Sequence, residues 1–248
     1  MRVCKTMKAT LKVMTPDPIK LIYTACRQCY SEKTANEIWD SYDSIPKEKV
    51  LSLITDILES GHESVLEHIY FTFFIEDAPR SLTHQLVRHR LMSISQQSLR
   101  YVQFDDKKIG FTIPHTVIKS KEAKELSDEF LDVVISLYHK MIELGIPRED
   151  AREYLPMMTN SSLVITLNIR ELLHIISLRC CTRAQKNIRV LSENILDECK
   201  KALPEIFSNA GPKCEKLGYC PESEKRACGK KPLKNKFFND KVPDEPVH

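Results

Sequence analysis

Residues 8–14 alternate, with Ala9, Leu11 and Val13 apolar against Lys8, Thr10 and Lys12, which predicts a half-buried strand closed by Pro16 and Pro18. A helix is predicted next, over residues 19–30. Pro46 at a helix start, Val50, Ile54 and Ile57 on one face and Gly61 beyond the end predict a second helix, of about four turns, that delivers His62 at its exit. Residues 70–75 are aromatic and β-branched and, continued through Glu76 and Asp77, predict a sheet strand. Pro79 then opens a predicted helix over residues 80–88. Residues 102–104 and 111–113 flank a charged run and predict a small hairpin.

The clearest helical pattern covers residues 120–144, where Leu126, Phe130, Val133, Leu137, Met141 and Leu144 recur at helical spacing as a core-facing stripe and Gly145 is the stop. Pro147 begins a short helix that includes Arg152 and ends before Pro156. Residues 163–170 alternate again, which sets Leu163, Ile165, Leu167 and Ile169 against Val164, Thr166, Asn168 and Arg170, so Asn168 and Arg170 share a side. A single long helix is predicted over residues 171–203, carrying His174, Arg179 and Arg183. After Phe207, Gly-Pro, three cysteines and clustered lysines predict a segment poor in regular structure. The resulting expectation is an α+β fold, a mainly antiparallel sheet packed with long helices, in which residues 1–207 form the domain and residues 208–248 an irregular, cysteine-containing C-terminal tail.

Composition narrows the setting. With 248 residues, 42% of them hydrophobic, the chain buries a substantial core. No apolar run reaches the roughly 18 residues of a membrane span and the N-terminus lacks the apolar core of a secretory signal, so a cytoplasmic protein without membrane contact is expected. A net charge of +3 is too mild to argue for a nucleic-acid partner, and any anion binding must be local. The nine cysteines, Cys26-x-x-Cys29 among them, read as free thiols or a metal site rather than a disulfide framework. Neither the His62, Glu67, His68 group nor Cys214, Cys220 and Cys228 has the spacing or complement of a standard zinc site, and no metal is expected. The six glycines fit neither a dinucleotide fingerprint nor a phosphate-binding loop, so if a nucleotide binds, arginines must hold its phosphates.

The densest chemistry lies in residues 88–101, which pack three arginines, one histidine, three serines and two glutamines into fourteen positions. The guanidiniums suit a phosphorylated ligand, and the glutamines and serines suit the neutral donors and acceptors of a base or sugar. Ser98 has no Ser-His-Asp arrangement to activate it and reads as a ligand to phosphate or sugar, not a nucleophile. Taken alone, the same arginines also read as a solvated basic face.

Arg88-His89-Arg90, a seven-residue gap and Ser98, extended by Arg100-Tyr101, resemble the signature of the flavin-dependent thymidylate synthases. Asn168-x-Arg170 followed by His174, and Arg179 with Arg183-Ala184-Gln185, resemble further motifs of that family, and the resemblance spans about residues 20 to 200. It implies that FAD is bound by His62, Ser64, Arg88, His89, Arg90, Gln96, Asn168, Arg170 and His174. It implies that deoxyuridine monophosphate (dUMP) is bound by Gln85, Arg88, Gln96, Gln97, Ser98, Leu99, Arg100, Arg152 and Arg179. Arg179 matches the arginine that polarises the uracil ring, a role suited to a fixed guanidinium beside developing negative charge. The implied reaction converts dUMP to dTMP, with 5,10-methylenetetrahydrofolate as carbon donor and NADPH as reductant through FAD. Gln96 stands where some members carry Glu, and Ser95 where others carry Asn.

One geometric argument needs no family. Arg179 lies nine residues after Arg170, so on a regular helix at about 100° per residue the two point to opposite sides. One small site in one chain cannot easily use both, which agrees with the homotetramer, with sites shared between subunits, that the resemblance implies. Two other readings stay open: another flavin-dependent nucleotide-modifying enzyme, and a basic nucleic-acid-binding module. The module is colourless and binds polynucleotide in a salt-sensitive way, whereas a flavoprotein is yellow.

Overall fold

The structure, a computed structural model, describes residues 7–102 and 109–239. Strands β1 (Lys8–Met14), β2 (Tyr70–Pro79), β3 (Met92–Gln96) and β4 (Asn160–Asn168) form a four-stranded antiparallel sheet in the order β1-β2-β4-β3. Helices α1 (Pro18–Gln28), α2 (Ala35–Ser41) and α3 (Lys47–Glu59) lie between β1 and β2, and α4 (Arg80–Leu86) follows β2 directly. Short α5 (His115–Ile118), long α6 (Lys121–Glu143) and short α7 (Arg148–Ala151) precede β4. Beyond it come α8 (Ile169–Arg179), α9 (Lys186–Ala202), α10 (Pro204–Phe207), α11 (Lys213–Leu217) and α12 (Lys234–Asn239). Among the described residues no helix is long and apolar enough to cross a membrane. The expected α+β architecture is present.

Contacts divide the chain into two compact units, Met1–Thr10 with Phe73–Ile165, and Leu11–Thr72 with Thr166–His248. The core of the first gathers Leu99, Ile109, Phe111, Leu131, Ile135, Tyr138 and Ala151. In the second, Ile22, Leu66, Ile69, Leu172, Ile188 and Leu191 are nearly sealed from solvent, and the rings of Phe71 and Phe207 lie 5.8 Å apart. Alternation along β2 changes phase near its end. Phe71, Phe73 and Ile75 are buried, but Asp77 adopts a left-handed backbone (φ 55°) and Ala78 takes the next inward place. Asp is among the few residues that tolerate that conformation.

Several expectations need correction. Helix α2 was not anticipated, although Thr34 and Glu37 form a capping box at its start, a signature readable from sequence. The helix after Pro79 ends at Leu86, and residues 87–89 tighten into a turn in which the Arg88 and His89 N–H groups bond to Gln85 and Leu86 carbonyls. Residues 92–96 then form β3, whose half-buried Met92 and Ile94 alternate with exposed Ser93 and Ser95. Residues 103 and 104 of the proposed hairpin lie outside the described residues, while Phe111 pairs with Thr159. The predicted 171–203 helix is two helices: Cys180, Cys181 and Thr182 are weak helix formers, and Gln185 has the extended backbone (φ −55°, ψ 141°) that restarts α9. Asn168 does end a strand, but its side chain accepts the Glu171 N–H at 2.9 Å, so Arg170 sits in the first turn of α8.

The α6 stripe was assigned largely to the wrong face, although its Met141 does pack against the core. Leu131, Val134, Ile135 and Tyr138 are buried, whereas Leu126 and Val133 are both 67% exposed and Leu144 is 80% exposed. Both sets satisfy helical spacing, and periodicity alone does not say which one a single chain covers.

The segment after Phe207 consists of short pieces joined by turns. Gly218 closes α11 at φ 74°, where an added Cβ would meet the Phe237 ring at 3.2 Å. Tyr219 packs against Phe237 and Phe238 with ring centroids 5.4 and 5.6 Å apart.

Candidate functional site

In the first unit, the turn between α4 and β3 presents Arg88 and Arg90 to solvent on either side of a buried His89. Neither guanidinium has a hydrogen-bond or ion-pair partner among the described residues. Two unpaired, permanently charged forks of this kind suit a phosphate-bearing ligand such as a flavin dinucleotide. One turn earlier, the Gln85 Nε2 donates to the Ser81 carbonyl at 3.2 Å, which fixes its carboxamide along α4.

Gln96 ends β3 with its amide turned into the protein. Its Nε2 donates to Ser161 Oγ at 2.7 Å and to Thr83 Oγ1 at 3.3 Å. Those hydroxyls donate onward, to the Ala78 and Arg80 carbonyls at 3.4 and 3.1 Å. Gln97 is held to β4 at both ends, its N–H to the Ser162 carbonyl (2.8 Å) and its Oε1 accepting the Ser162 N–H (3.3 Å). The Ser98 hydroxyl accepts the Arg100 N–H at 3.2 Å in a tight turn, which fits a ligand role and offers it no neighbouring base. Leu99 points its side chain into the core, so any contact it makes to a ligand is through its backbone.

Arg100 and Arg152 converge on Glu149. The Arg100 Nε and Nη2 donate to Glu149 Oε2 at 2.9 and 2.6 Å, and the Arg152 Nε donates to the Glu149 carbonyl at 3.2 Å. Hydrogen bonding to Glu149 raises the Arg100 pKa further above its ordinary value. Arg148 Nη1 donates to the Tyr101 carbonyl at 2.9 Å, and the Arg100 guanidinium lies 5.4 Å from the Tyr101 ring. Because the Arg100–Glu149 pair is half-exposed, it contributes little to stability, and its effect is to aim the fork.

In the second unit, Gly61 (φ 84°) turns the chain out of α3 and leaves His62 and Ser64 exposed at the start of a 3-10 turn, Glu63–His68. Arg170 is tied to that turn: its Nη1 donates to Glu67 Oε1 and its Nε lies 4.0 Å from Glu63 Oε2. Lys216 reaches the other Glu63 oxygen at 3.0 Å. Asn168, Arg170, His62 and Ser64 are thus linked through the turn, with His174 exposed one helical turn further along α8. Arg179 is the last residue of α8 and half-buried, and Arg183 pairs with Glu222. Glu171, buried beside these groups, has its pKa raised by burial, partly offset by His174. Sequence reasoning did not reach Glu149, Thr83 or Ser161, and weighed Glu67 only as a metal ligand, because each acts through a partner remote in sequence, as Arg100 to Glu149 is by 49 residues.

A family model described as thymidylate synthase complementing protein matches residues 10–205. The chain belongs to this family. It is 43% identical over 237 residues to the flavin-dependent thymidylate synthase of Nitratidesulfovibrio vulgaris, covering 92% of this chain and 96% of that one. To the flavin-dependent thymidylate synthase of Geobacter sulfurreducens it is 37% identical, covering 94% and 99%. The Pyrococcus abyssi protein of the same name is 39% identical, covering 88% and 91%. Among solved structures, the fold matches that of the UMP/dUMP methylase PolB from Streptomyces cacaoi with a TM-score of 0.71 at 22% identity, covering 84% of this chain and 96% of that one. As a member of this family the chain is an enzyme.

Proposed function

We propose that this chain catalyses the reductive methylation of dUMP to dTMP. The observation that carries the reading is that every residue assigned above to nucleotide or flavin lies within the matched span, residues 10–205, of a family whose relatives are named flavin-dependent thymidylate synthases. The carbon comes from 5,10-methylenetetrahydrofolate, and two electrons from NADPH reduce the transferred methylene to a methyl group as tetrahydrofolate leaves. FAD, when bound, carries those electrons between NADPH and the one-carbon unit.

The chain's own residues supply position and charge. Arg88, His89, Arg90, Gln96, His62, Ser64, Asn168, Arg170 and His174 are assigned to the flavin. Gln85, Gln97, Ser98, the Leu99 backbone, Arg100 and Arg152 are assigned, with Arg88, Gln96 and Arg179, to dUMP. Arg179 stabilises the negative charge that develops on the uracil ring as its carbon attacks. No thiol is assigned a role: no cysteine lies in residues 88–101, and burial holds Cys26 up at about 11 and Cys180 at about 12, far from a reactive thiolate.

The enzyme is read as a homotetramer with shared sites. Two observations support this: Arg170 and Arg179 diverge on α8, and α6 leaves Leu126, Phe130 and Val133 in solvent on a single chain. Light scattering that returns an active monomer of 28.7 kDa refutes it.

The test of function is an absorption spectrum of the purified protein followed by a methylation assay with NADPH and labelled 5,10-methylenetetrahydrofolate. Flavin bands and label in dTMP are expected. A colourless protein that binds polynucleotide returns the basic-module reading. Because the structural neighbour is a UMP/dUMP methylase, UMP is assayed in parallel, and label in the ribonucleotide alone returns the reading of a different flavin-dependent nucleotide-modifying enzyme.

A further inference from the structure

The segment after residue 205 lies outside the family-matched span, yet it brings a charge to the turn assigned to the flavin. Helix α11 carries Lys216, whose Nζ donates to Glu63 Oε1 at 3.0 Å across 153 residues of sequence. Glu63 stands between His62 and Ser64, so this tie reaches the backbone that presents both. Helix α11 is itself held in place. The Gly218 N–H bonds to the Cys214 carbonyl at 3.0 Å, Lys231 lies 3.1 Å from Glu215 Oε2, and the Phe237 ring closes over Gly218. The turn is thus gripped twice, at Glu63 by Lys216 and at Glu67 by Arg170.

The charges give the first grip a purpose. Arg170 with Glu63 and Glu67 is one cation against two carboxylates, a net negative group that repels the diphosphate of a flavin dinucleotide. Lys216 balances it. It also divides the Glu63 carboxylate: Oε1 accepts from Lys216 at 3.0 Å, whereas Oε2 stays 4.0 Å from Arg170 Nε, beyond hydrogen-bond reach. Among the described residues, Arg170 therefore spends a hydrogen bond on Glu67 alone, through Nη1, and the other donors of its fork remain available. Without Lys216 the nearest cation left to Glu63 is Arg170, and a carboxylate drawn onto Nε occupies donors that an anionic ligand needs.

We propose that Lys216 is a positioning residue for the flavin site, which neutralises Glu63, holds it off Arg170 and so keeps the Arg170 fork open to the diphosphate of FAD. The proposal rests on the flavin reading of His62, Ser64 and Arg170, and it extends that site to a segment beyond the matched family pattern. Lys216 is mostly exposed, so the pair adds little to stability, and its effect is felt in ligand affinity.

The experiment titrates the full-length chain, freed of flavin, with FAD and follows flavin fluorescence at low and high salt. Lys216→Met is expected to weaken FAD binding about threefold to fivefold at low salt, the worth of one exposed ion pair. The deficit should shrink at high salt, where such charges are screened. Lys216→Arg restores the cation and is expected to restore the affinity. Glu63→Gln is expected to bind FAD at least as tightly as wild type, and Lys216→Met added to it to have no further effect, because the carboxylate that Lys216 neutralises is gone. Wild-type affinity in Lys216→Met overturns the role. So does an equal loss in Lys216→Arg, or a loss that persists undiminished on the Glu63→Gln background, since either means that Lys216 does not act through the Glu63 charge. If Lys216→Met does not fold, Lys216→Gln decides the matter by the same comparison. Each of these outcomes against the proposal leaves the flavin reading standing, whereas wild type that binds no FAD refutes that reading together with the Lys216 role.

Discussion

Replacing Gln96 by Leu tests the network beneath the site. The side chain spends both amide protons on hydroxyls that are almost sealed from solvent, Thr83 at 1% and Ser161 at 3% exposure. Leu approximates the volume but removes both donors. Each lost bond is worth about 1 kcal/mol, giving about 2 kcal/mol in all. The further penalty for stranded buried polar groups does not apply in full, because both hydroxyls keep their own acceptors, the Ala78 and Arg80 carbonyls. In a chain of 248 residues this corresponds to a fall in Tm of about 4–8 °C. The assay is thermal unfolding at fixed protein concentration and flavin loading, since assembly and ligand both shift Tm. Gln96→Glu is the sharper variant. An ionised carboxylate cannot donate, so Thr83 and Ser161 would have to turn their protons away from Arg80 and Ala78. It is expected to be the less stable variant at neutral pH and to recover as the carboxyl is protonated. A Tm for Gln96→Leu within about 1 °C of wild type, well below the worth of two bonds, refutes the network as drawn.

Arg179→Lys is expected to retain FAD and lower dUMP methylation by about a hundredfold, the usual cost of one preorganised donor to developing charge; near wild-type turnover, or loss of flavin with normal dUMP binding, sinks the role. Alkylation followed by peptide mass spectrometry is expected to label Cys228 first, since it is exposed and its pKa is lowered by hydrogen bonding to Thr182 and the Lys230 backbone. Cys26, Cys180 and Cys199, whose pKa values burial raises, are expected to label last, and replacing all nine cysteines should leave thymidylate formation intact. Glu171 has a folded-state pKa above the ordinary 4.5, so its stabilising contribution is present below that value and is lost as pH rises through the raised one. The stability of Glu171→Gln relative to wild type should therefore increase as pH rises from the ordinary 4.5 through the raised value, and denaturant unfolding that shows no such trend contradicts the assignment.

Much of the candidate site was legible in the sequence because its chemistry is local. The residues of the 88–101 motif are contiguous, and Asn168, Arg170 and His174 follow one another across a single strand-to-helix junction. The bounds of strand β1 were legible to the residue, since alternation that stops before Pro16 leaves one register that hides Ala9, although Val13 on the same apolar face stays exposed. What holds the site was not legible. Glu149 beneath Arg100 and Glu67 beside Arg170 are ordinary surface carboxylates until the chain is folded, and the Gln96 network joins residues 65 positions apart.

The division has a physical basis. Secondary structure and charged motifs arise from interactions a few residues long, so β1, α3, β2 and the arginine clusters were determined by sequence alone. The choice between two faces of α6 depends on which surface the rest of the first unit offers, and both faces carry apolar residues at the same spacing. The break at Cys180–Gln185 and the tie between Lys216 and Glu63 depend likewise on neighbours brought in by tertiary packing. Propensity and period describe what a segment can do by itself; only the folded core decides which apolar stripe is covered and which charge is left without a partner.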